Sequence, residues 1–441
     1  MDTPICDFVR GYREKNPLRL HMPGHKGIPF LGPEPLDLTE MTGADDLYHP
    51  EGIIAQSEEN AAALFGAGMT CYSTEGSSQC IRAMLYLALQ YAHREGKNPR
   101  ILAGRNVHKT FVTAAGLLDF QVDWLPATES YLSCGVADWK ALEQQLGNLL
   151  PAAVYVTSPD YLGNEMDLGE LSRLCHRYGA LLLVDNAHGA YLHFLPQPRH
   201  PLDLGADLCC DSAHKTLPAL TGAAYLHLSK AVPAWLKAMS KEAMALFGST
   251  SPSYLILQSL DLMNPWLEGL PGRLQAFLPQ LEAAKKRIAQ MGWEFAGSEP
   301  MKWTLCPKPK GYTGETLGAL LEAQGIYYEF ADPDFLVLMP SPEQPESLIA
   351  IEAALATVPP RPAIAQTPPR PHIPQRAMSI RQAMLAPHRE IPVAEAQGEI
   401  LGALQVSCPP AVPIALCGEV IDQQVAEQFQ YYGVETCRVV K

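Results

Sequence analysis

Between residues 60 and 230 the chain alternates short, almost continuous apolar runs with stretches of helical period, and this alternation constrains the fold more than any other feature. The apolar runs are Arg100–Arg105, Val122–Ala127, Ala152–Asp160, Ala180–His188 and Asp207–Ser212. Ser78–Gly96 reads as a helix, because Ile81, Met84, Leu85, Ala88 and Tyr91 recur at the three-and-four spacing of one apolar face. Lys109–Phe120, Ala137–Leu150 and Asp167–Gly179 read as further helices between the apolar runs. Strands apolar on both sides and separated by helices form mostly parallel sheets covered on both faces. The expected class is therefore α/β. Such sheets bind ligands beyond the carboxyl ends of their strands, so the polar clusters that follow each strand are the places to look for chemistry.

A chain of 441 residues exceeds one core, and the remainder divides further. Residues 275–358 read as a second, smaller α/β unit, with an amphipathic helix around Leu281–Met291 and strands near Trp303–Cys306 and Phe335–Met339. Seven of the sixteen residues from Pro359 to Pro374 are proline, which reads as a stiff extended linker. A compact tail follows. The expected division is an arm at 1–35, a large domain at 36–274, a small domain at 275–358, a linker at 359–376 and a C-terminal domain at 377–441.

Composition removes several classes of function. A formal charge of −14 with no basic patch argues against nucleic acid, whose backbone needs a basic footprint. No apolar run approaches the ~20 residues needed to cross a bilayer, so no membrane association is expected. The eleven cysteines contain no C-x-x-C pair, and the polar start MDTPICDFVRGYREKNP lacks a secretory leader's apolar segment. Reduced cysteines and a cytoplasmic location are the expectation. His21 and His25 flank Pro23 and Gly24, which break any helix, so no metal site is expected. Gly66-Ala67-Gly68 lacks the third glycine and preceding strand of a dinucleotide site.

Four clusters carry the chemistry. Lys215, in CCDSAHKTLP, closes an apolar strand beside Ser212 and His214; lysine forms Schiff bases with carbonyls when a neutral amine is accessible. Taken alone, a strand-end lysine is more often a solvated rim charge. Asp185, in VDNAH with Ala187 and His188, could pair with a protonated ring nitrogen or simply cap the next turn. Gly76-Ser77-Ser78 offers a permissive backbone, two hydroxyls and a helix N-terminus to an anion, or an ordinary cap. His108 follows the strand at Arg100–Arg105 and could lie flat on an aromatic ring, or be a satisfied core histidine. In chain order these supply contacts to a phosphate, a ring face, a ring nitrogen and an aldehyde, the four that pyridoxal 5′-phosphate requires.

The motifs LRLHMPGHKG, LDLTEMTGADDLYHPEG, STEGSS, GRNVHKT, LLLVDNAHGAY, CCDSAHKTLPALTG and STSPSY, with the tail around SIRQAMLAPHREIPVAEAQGEI, resemble the short form of the Orn/Lys/Arg decarboxylases. The resemblance spans nearly the whole chain. It implies a seven-stranded large domain of aspartate-aminotransferase type, pyridoxal phosphate as cofactor, and a homodimer with shared sites. By that likeness Lys215 is the Schiff-base lysine, Asp185 the partner of the pyridine nitrogen and His108 the stacking ring, with Ala187 against the other face and His188 beside it. Gly76, Ser77, Ser78, Ser212 and His214 hold the phosphate, Ser249 reaches it from the neighbouring subunit, and Glu419 lies near the substrate's distal cation. Glu75 stands where the family usually has Asn, Asn186 where short-form relatives have Glu, and Gln382 where Glu is common.

The reaction implied is decarboxylation of arginine, lysine or ornithine to a polyamine-type amine. An aminotransferase or aldolase-type lyase would keep the same Lys215 and Asp185, but residues 300–358 contain no arginine to grip a retained carboxylate. A cofactor-binding paralogue without activity is the other alternative, suggested by Glu75 and Asn186.

Overall fold

The computed structural model describes residues 1–133, 135–406 and 410–441. Its central sheet has seven strands: β1 (Met69–Ser73), β2 (Asn98–Gly104), β3 (Gln121–Leu125), β4 (Pro151–Thr157), β5 (Leu181–Asp185), β6 (Leu208–Asp211) and β7 (Ala224–Leu228), in the order β1-β7-β6-β5-β4-β2-β3. The sheet is mostly parallel, and the class is α/β as expected. β5 and β6 are buried at every residue, which is why both read as unbroken apolar runs. β5 pairs with β6 in parallel, with Asp185 opposite Cys210. β7 pairs antiparallel to both β6 and β1.

The helices that follow the strands are α3 (Ser77–Arg94), α4 (Lys109–Leu118), α5 (Trp139–Leu149) and α6 (Leu168–Arg177), preceded by α1 (Pro4–Glu14) and α2 (Ile53–Leu64). All four fall within two residues of their expected bounds. Four of the five expected strands run shorter than their apolar stretches, while β2 begins two residues before Arg100 and ends at Gly104. The run Ala180–His188 stops as strand at Asp185, because Gly189 donates back to the Asn186 carbonyl and turns the chain. β1 and β7 have no counterpart in the expected series. β7 carries Tyr225 and His227 at alternate positions, a half-polar pattern although every residue in it is buried.

The chain forms two compact units. One comprises Met1–Arg100, Glu143–Tyr155 and Asp167–Gly272; the other comprises Ile101–Leu142, Val156–Met166 and Arg273–Lys441. The second contains an antiparallel sheet of β8 (Glu294–Ala296), β9 (Trp303–Cys306), β10 (Phe330–Ala331) and β11 (Leu336–Leu338), in the order β10-β11-β9-β8. It also holds the antiparallel pair β12 (His388–Pro392) and β13 (Thr436–Val440), packed on Leu401, Ile421, Val425 and Phe429.

The proline-rich segment is extended, but it is strapped down. Tyr312 donates to the Pro359 carbonyl, Arg361 and Ile364 donate to the carbonyls of Lys310 and Lys308, and Gln428 donates to that of Arg370. This differs from a free spacer: the segment is pinned on both flanks within the second unit. No described helix is long and apolar enough to cross a membrane.

Candidate active site

The first unit brings together every expected site residue except His108 and Glu419, which belong to the second. Its centre is the carboxyl end of β5. Asp185 is buried, its Oδ1 accepting the Ala187 N–H at 3.2 Å and facing Cys210 Sγ at 3.7 Å, while Tyr155 donates to Oδ2 at 3.2 Å. Burial pushes this carboxyl above its ordinary value, opposed first by the positive charge of Lys215 and then by the donors just named. The charge of Lys215 therefore acts on Asp185.

Lys215 sits on the one-turn helix α7 (Ala213–Thr216), directly after β6. Its own N–H donates to the Ser212 carbonyl and that of Leu217 to the Ala213 carbonyl, which fixes the turn. Nζ lies 3.1 Å from His188 Nε2. A lysine held beside an imidazole has a proton partner of the right reach.

The anion-type corner lies at the start of α3. Gly76 has φ 71°, a left-handed conformation that favours glycine, and a Cβ built on it would meet nothing within 4 Å. Its N–H donates to the Gly222 carbonyl at 2.7 Å. Ser212 Oγ donates to Ser77 Oγ at 2.8 Å, so hydroxyls from β6 and α3 converge there. His214 Nδ1 donates to the Ala223 carbonyl at 3.0 Å, which commits that nitrogen and fixes the ring. Open space, paired hydroxyls and a helix N-terminus suit a phosphate ester. Ser249 is placed against this corner of its own chain: its N–H donates to Glu75 Oε1.

Partners that the sequence did not signal surround these groups. Asp211 is wholly buried; Asn186 Nδ2 donates to its Oδ1 at 2.6 Å, and His200 and His227 Nε2 lie 3.0 and 3.3 Å from its Oδ2. Burial alone would raise this carboxyl, but the two histidines hold it well below the usual range. Asp211 therefore ties the residue after Asp185 to β6 and β7. Strand register creates these neighbours, since Asp185 faces Cys210 and Cys209 faces His227, and one-dimensional spacing does not reveal register.

In the second unit, His108 is the N-cap of α4. Its Nδ1 accepts the Thr110 N–H at 3.2 Å and lies 2.9 Å from Thr110 Oγ1, which sets the ring's orientation. Glu419 is buried against Arg105, with its Oε2 also accepting the Leu416 N–H at 2.7 Å.

A family model described as "Orn/Lys/Arg decarboxylase, major domain" matches residues 3–305. The chain belongs to the Orn/Lys/Arg decarboxylase family. This decarboxylase is 28% identical over 459 residues to an arginine decarboxylase of Bacillus subtilis, covering 96% of this chain and 92% of the relative. It is likewise 28% identical over 464 residues to an arginine decarboxylase of Bacillus anthracis, covering 97% and 92%. Among solved structures it is similar in fold to the Francisella novicida lysine decarboxylase LdcF, with TM-score 0.81 and 15% identity over 100% of this chain and 81% of that one. The decarboxylase uses pyridoxal 5′-phosphate. The open corner at Gly76 and the buried Asp185 facing Lys215 fit that group's two ends.

Proposed function

We propose that the chain removes the α-carboxylate of a basic L-amino acid, arginine in the first place and lysine or ornithine as the other candidates, giving a polyamine-type amine and carbon dioxide. The observation that carries this reading is the buried Asp185 set against Lys215, whose Nζ has His188 at 3.1 Å. Arginine is put first because two curated relatives, matched over 92% of their length, bear that name.

When bound, pyridoxal phosphate supplies the electron sink that accepts the pair left by the departing carboxylate. The protein's part is to hold and charge the ends of that group. Lys215 would hold the aldehyde carbon of that group, and His188 stands within reach to take and return a proton at Nζ. Asp185, fixed by the Ala187 N–H and the Tyr155 hydroxyl, keeps a ring nitrogen protonated. Ser77, Ser78, Ser212, His214 and the backbone at Gly76 hold the phosphate, with Ser249 at the rim. Ala187 would lie against one ring face, and the resemblance assigns the other to His108.

The working form is a cytoplasmic homodimer. Leu18, Leu20, Ile28, Phe30 and Leu31 of the N-terminal arm expose 69 to 91% of their surface in the single chain, an apolar patch of the kind that marks a protein interface.

The direct test incubates the purified protein with L-arginine, L-lysine and L-ornithine separately and measures released carbon dioxide, beside a Lys215→Ala variant. Release from one or more of them, lost in the variant, is expected. No release from any of the three, or full release from the variant, would sink the reading.

A further inference from the structure

Glu75 lies in the turn between β1 and α3. Its backbone is fixed there: the Glu75 N–H donates to Ser73 Oγ at 3.1 Å, and Ser73 Oγ in turn donates to Gln79 Oε1 at 2.6 Å and lies 3.0 Å from the Gly76 carbonyl oxygen. Only the side chain is left to turn. Its carboxylate accepts the Ser249 N–H, while Ser249 Oγ accepts the Ser251 N–H at 3.1 Å. The carboxylate thus spans from the α3 turn to the Ser249 loop.

Position decides what this does. Gly76 is the N-cap of α3, an 18-residue helix without a side-chain cap at that end, where the helix dipole is positive. Glu75 is the residue before that cap. A carboxylate here already answers part of the helix's positive potential and occupies a backbone donor on the rim. A phosphate brought to the same corner meets that charge at close range.

We infer that Glu75 is a built-in competitor for the phosphate corner, setting how tightly this chain holds the phosphate ester of its cofactor. The inference rests on the reading that places the phosphate at Gly76–Ser78. Entry of the phosphate turns the Glu75 side chain off the Ser249 N–H and frees that donor for the ester. Because Glu75 and Ser249 are both exposed, water and salt moderate the effect. One negative charge acting on a phosphate dianion a few ångströms away in such surroundings corresponds to about a tenfold change in affinity.

The test compares the full chain with a Glu75→Gln variant, which keeps the shape and an acceptor for Ser249 but removes the charge. The bound cofactor is resolved from each, and affinities for pyridoxal phosphate and for pyridoxal, which lacks the phosphate, are measured by visible absorbance. Expected is about tenfold tighter binding of pyridoxal phosphate by Glu75→Gln, an unchanged affinity for pyridoxal, and a gap that narrows as ionic strength rises from about 0.05 to about 0.5 M. Equal affinity of the two proteins for pyridoxal phosphate overturns the competitor role alone, as does a parallel shift for both ligands. Failure of both proteins to bind pyridoxal phosphate at all overturns the cofactor site and this inference with it.

Discussion

Arg105 and Glu419, 314 residues apart in the sequence, meet as a two-point ion pair, with Nη1 2.8 Å from Oε1 and Nη2 2.6 Å from Oε2. Both side chains are 4% exposed, and Arg105 also donates to the Ile414 carbonyl. A substrate cation reaching Glu419 would have to compete with a guanidinium already in place. Removing one partner of a buried pair strands the other, at a cost of about 3 kcal/mol or more. Glu419→Gln should therefore lower the thermal midpoint by several degrees, and pairing it with Arg105→Met should recover much of the loss, as differential scanning calorimetry would show. A shift in KM with an unchanged midpoint would instead return Glu419 to the substrate.

Tyr155 and Asp185 offer a graded test of the ring-nitrogen partner. Tyr155→Phe deletes one 3.2 Å hydrogen bond to a carboxylate that keeps its other donors, worth about 1 kcal/mol, so carbon dioxide release should fall about fivefold. Asp185→Asn removes the charge itself and should reduce release by about two orders of magnitude or more, as losing a preorganised charge in a closed site commonly does. Steady-state rates at saturating substrate check both. Equal effects of the two substitutions would contradict the ordering.

Asp332 gives the fold a pH dependence of defined sign. Burial pushes its carboxyl up to about 7, against the Asp334 and Phe335 N–H groups that donate to its Oδ1, and its Oδ2 has no hydrogen-bond partner among the described residues. Between the ordinary carboxylate value and about 7, the unfolded chain has released this proton and the folded chain has not. Stability from this group accordingly falls as pH rises through that window and levels off above it. Asp332→Asn should flatten the decline in melting temperature across the window. A variant with the same slope as the parent would rule Asp332 out as its source.

The arm residues Leu20, Phe30 and Leu31 are 83, 91 and 83% exposed in the single chain. Substituting all three with serine should convert a sedimenting dimer to monomer at micromolar concentration, while the far-ultraviolet circular dichroism stays unchanged. A parent chain that sediments as a monomer would remove the basis for the dimer.

Most of the α/β layering was legible because β5 and β6 are buried on both sides and α3 carries one apolar stripe, patterns that survive in one dimension. Strand β7 was not, since Tyr225 and His227 imitate a half-exposed strand although both are buried. Lys215 and Asp185 stand out in the sequence because each closes an apolar run. Their supports could not: Tyr155, Cys210 and Asp211 become neighbours only through strand pairing, and Arg105 finds Glu419 only through tertiary folding. The proline-rich stretch was legible as extended, but its attachment at Pro359, Arg361, Ile364 and Arg370 depends on partners far along the chain.

Strand β6 keeps two chemistries apart by parity. Cys210 turns toward Asp185, while its neighbour Asp211 turns to the opposite side, toward His200 and His227. Such a strand can absorb a change of side chain, but a one-residue deletion or insertion between Leu208 and Asp211 would rotate every later residue to the wrong side. After a deletion Asp211 would swing into the place of Cys210, opposite Asp185, and Lys215 would be carried along the strand axis by one residue. Length variation among descendants of this sequence should therefore collect in the loops and spare these four positions.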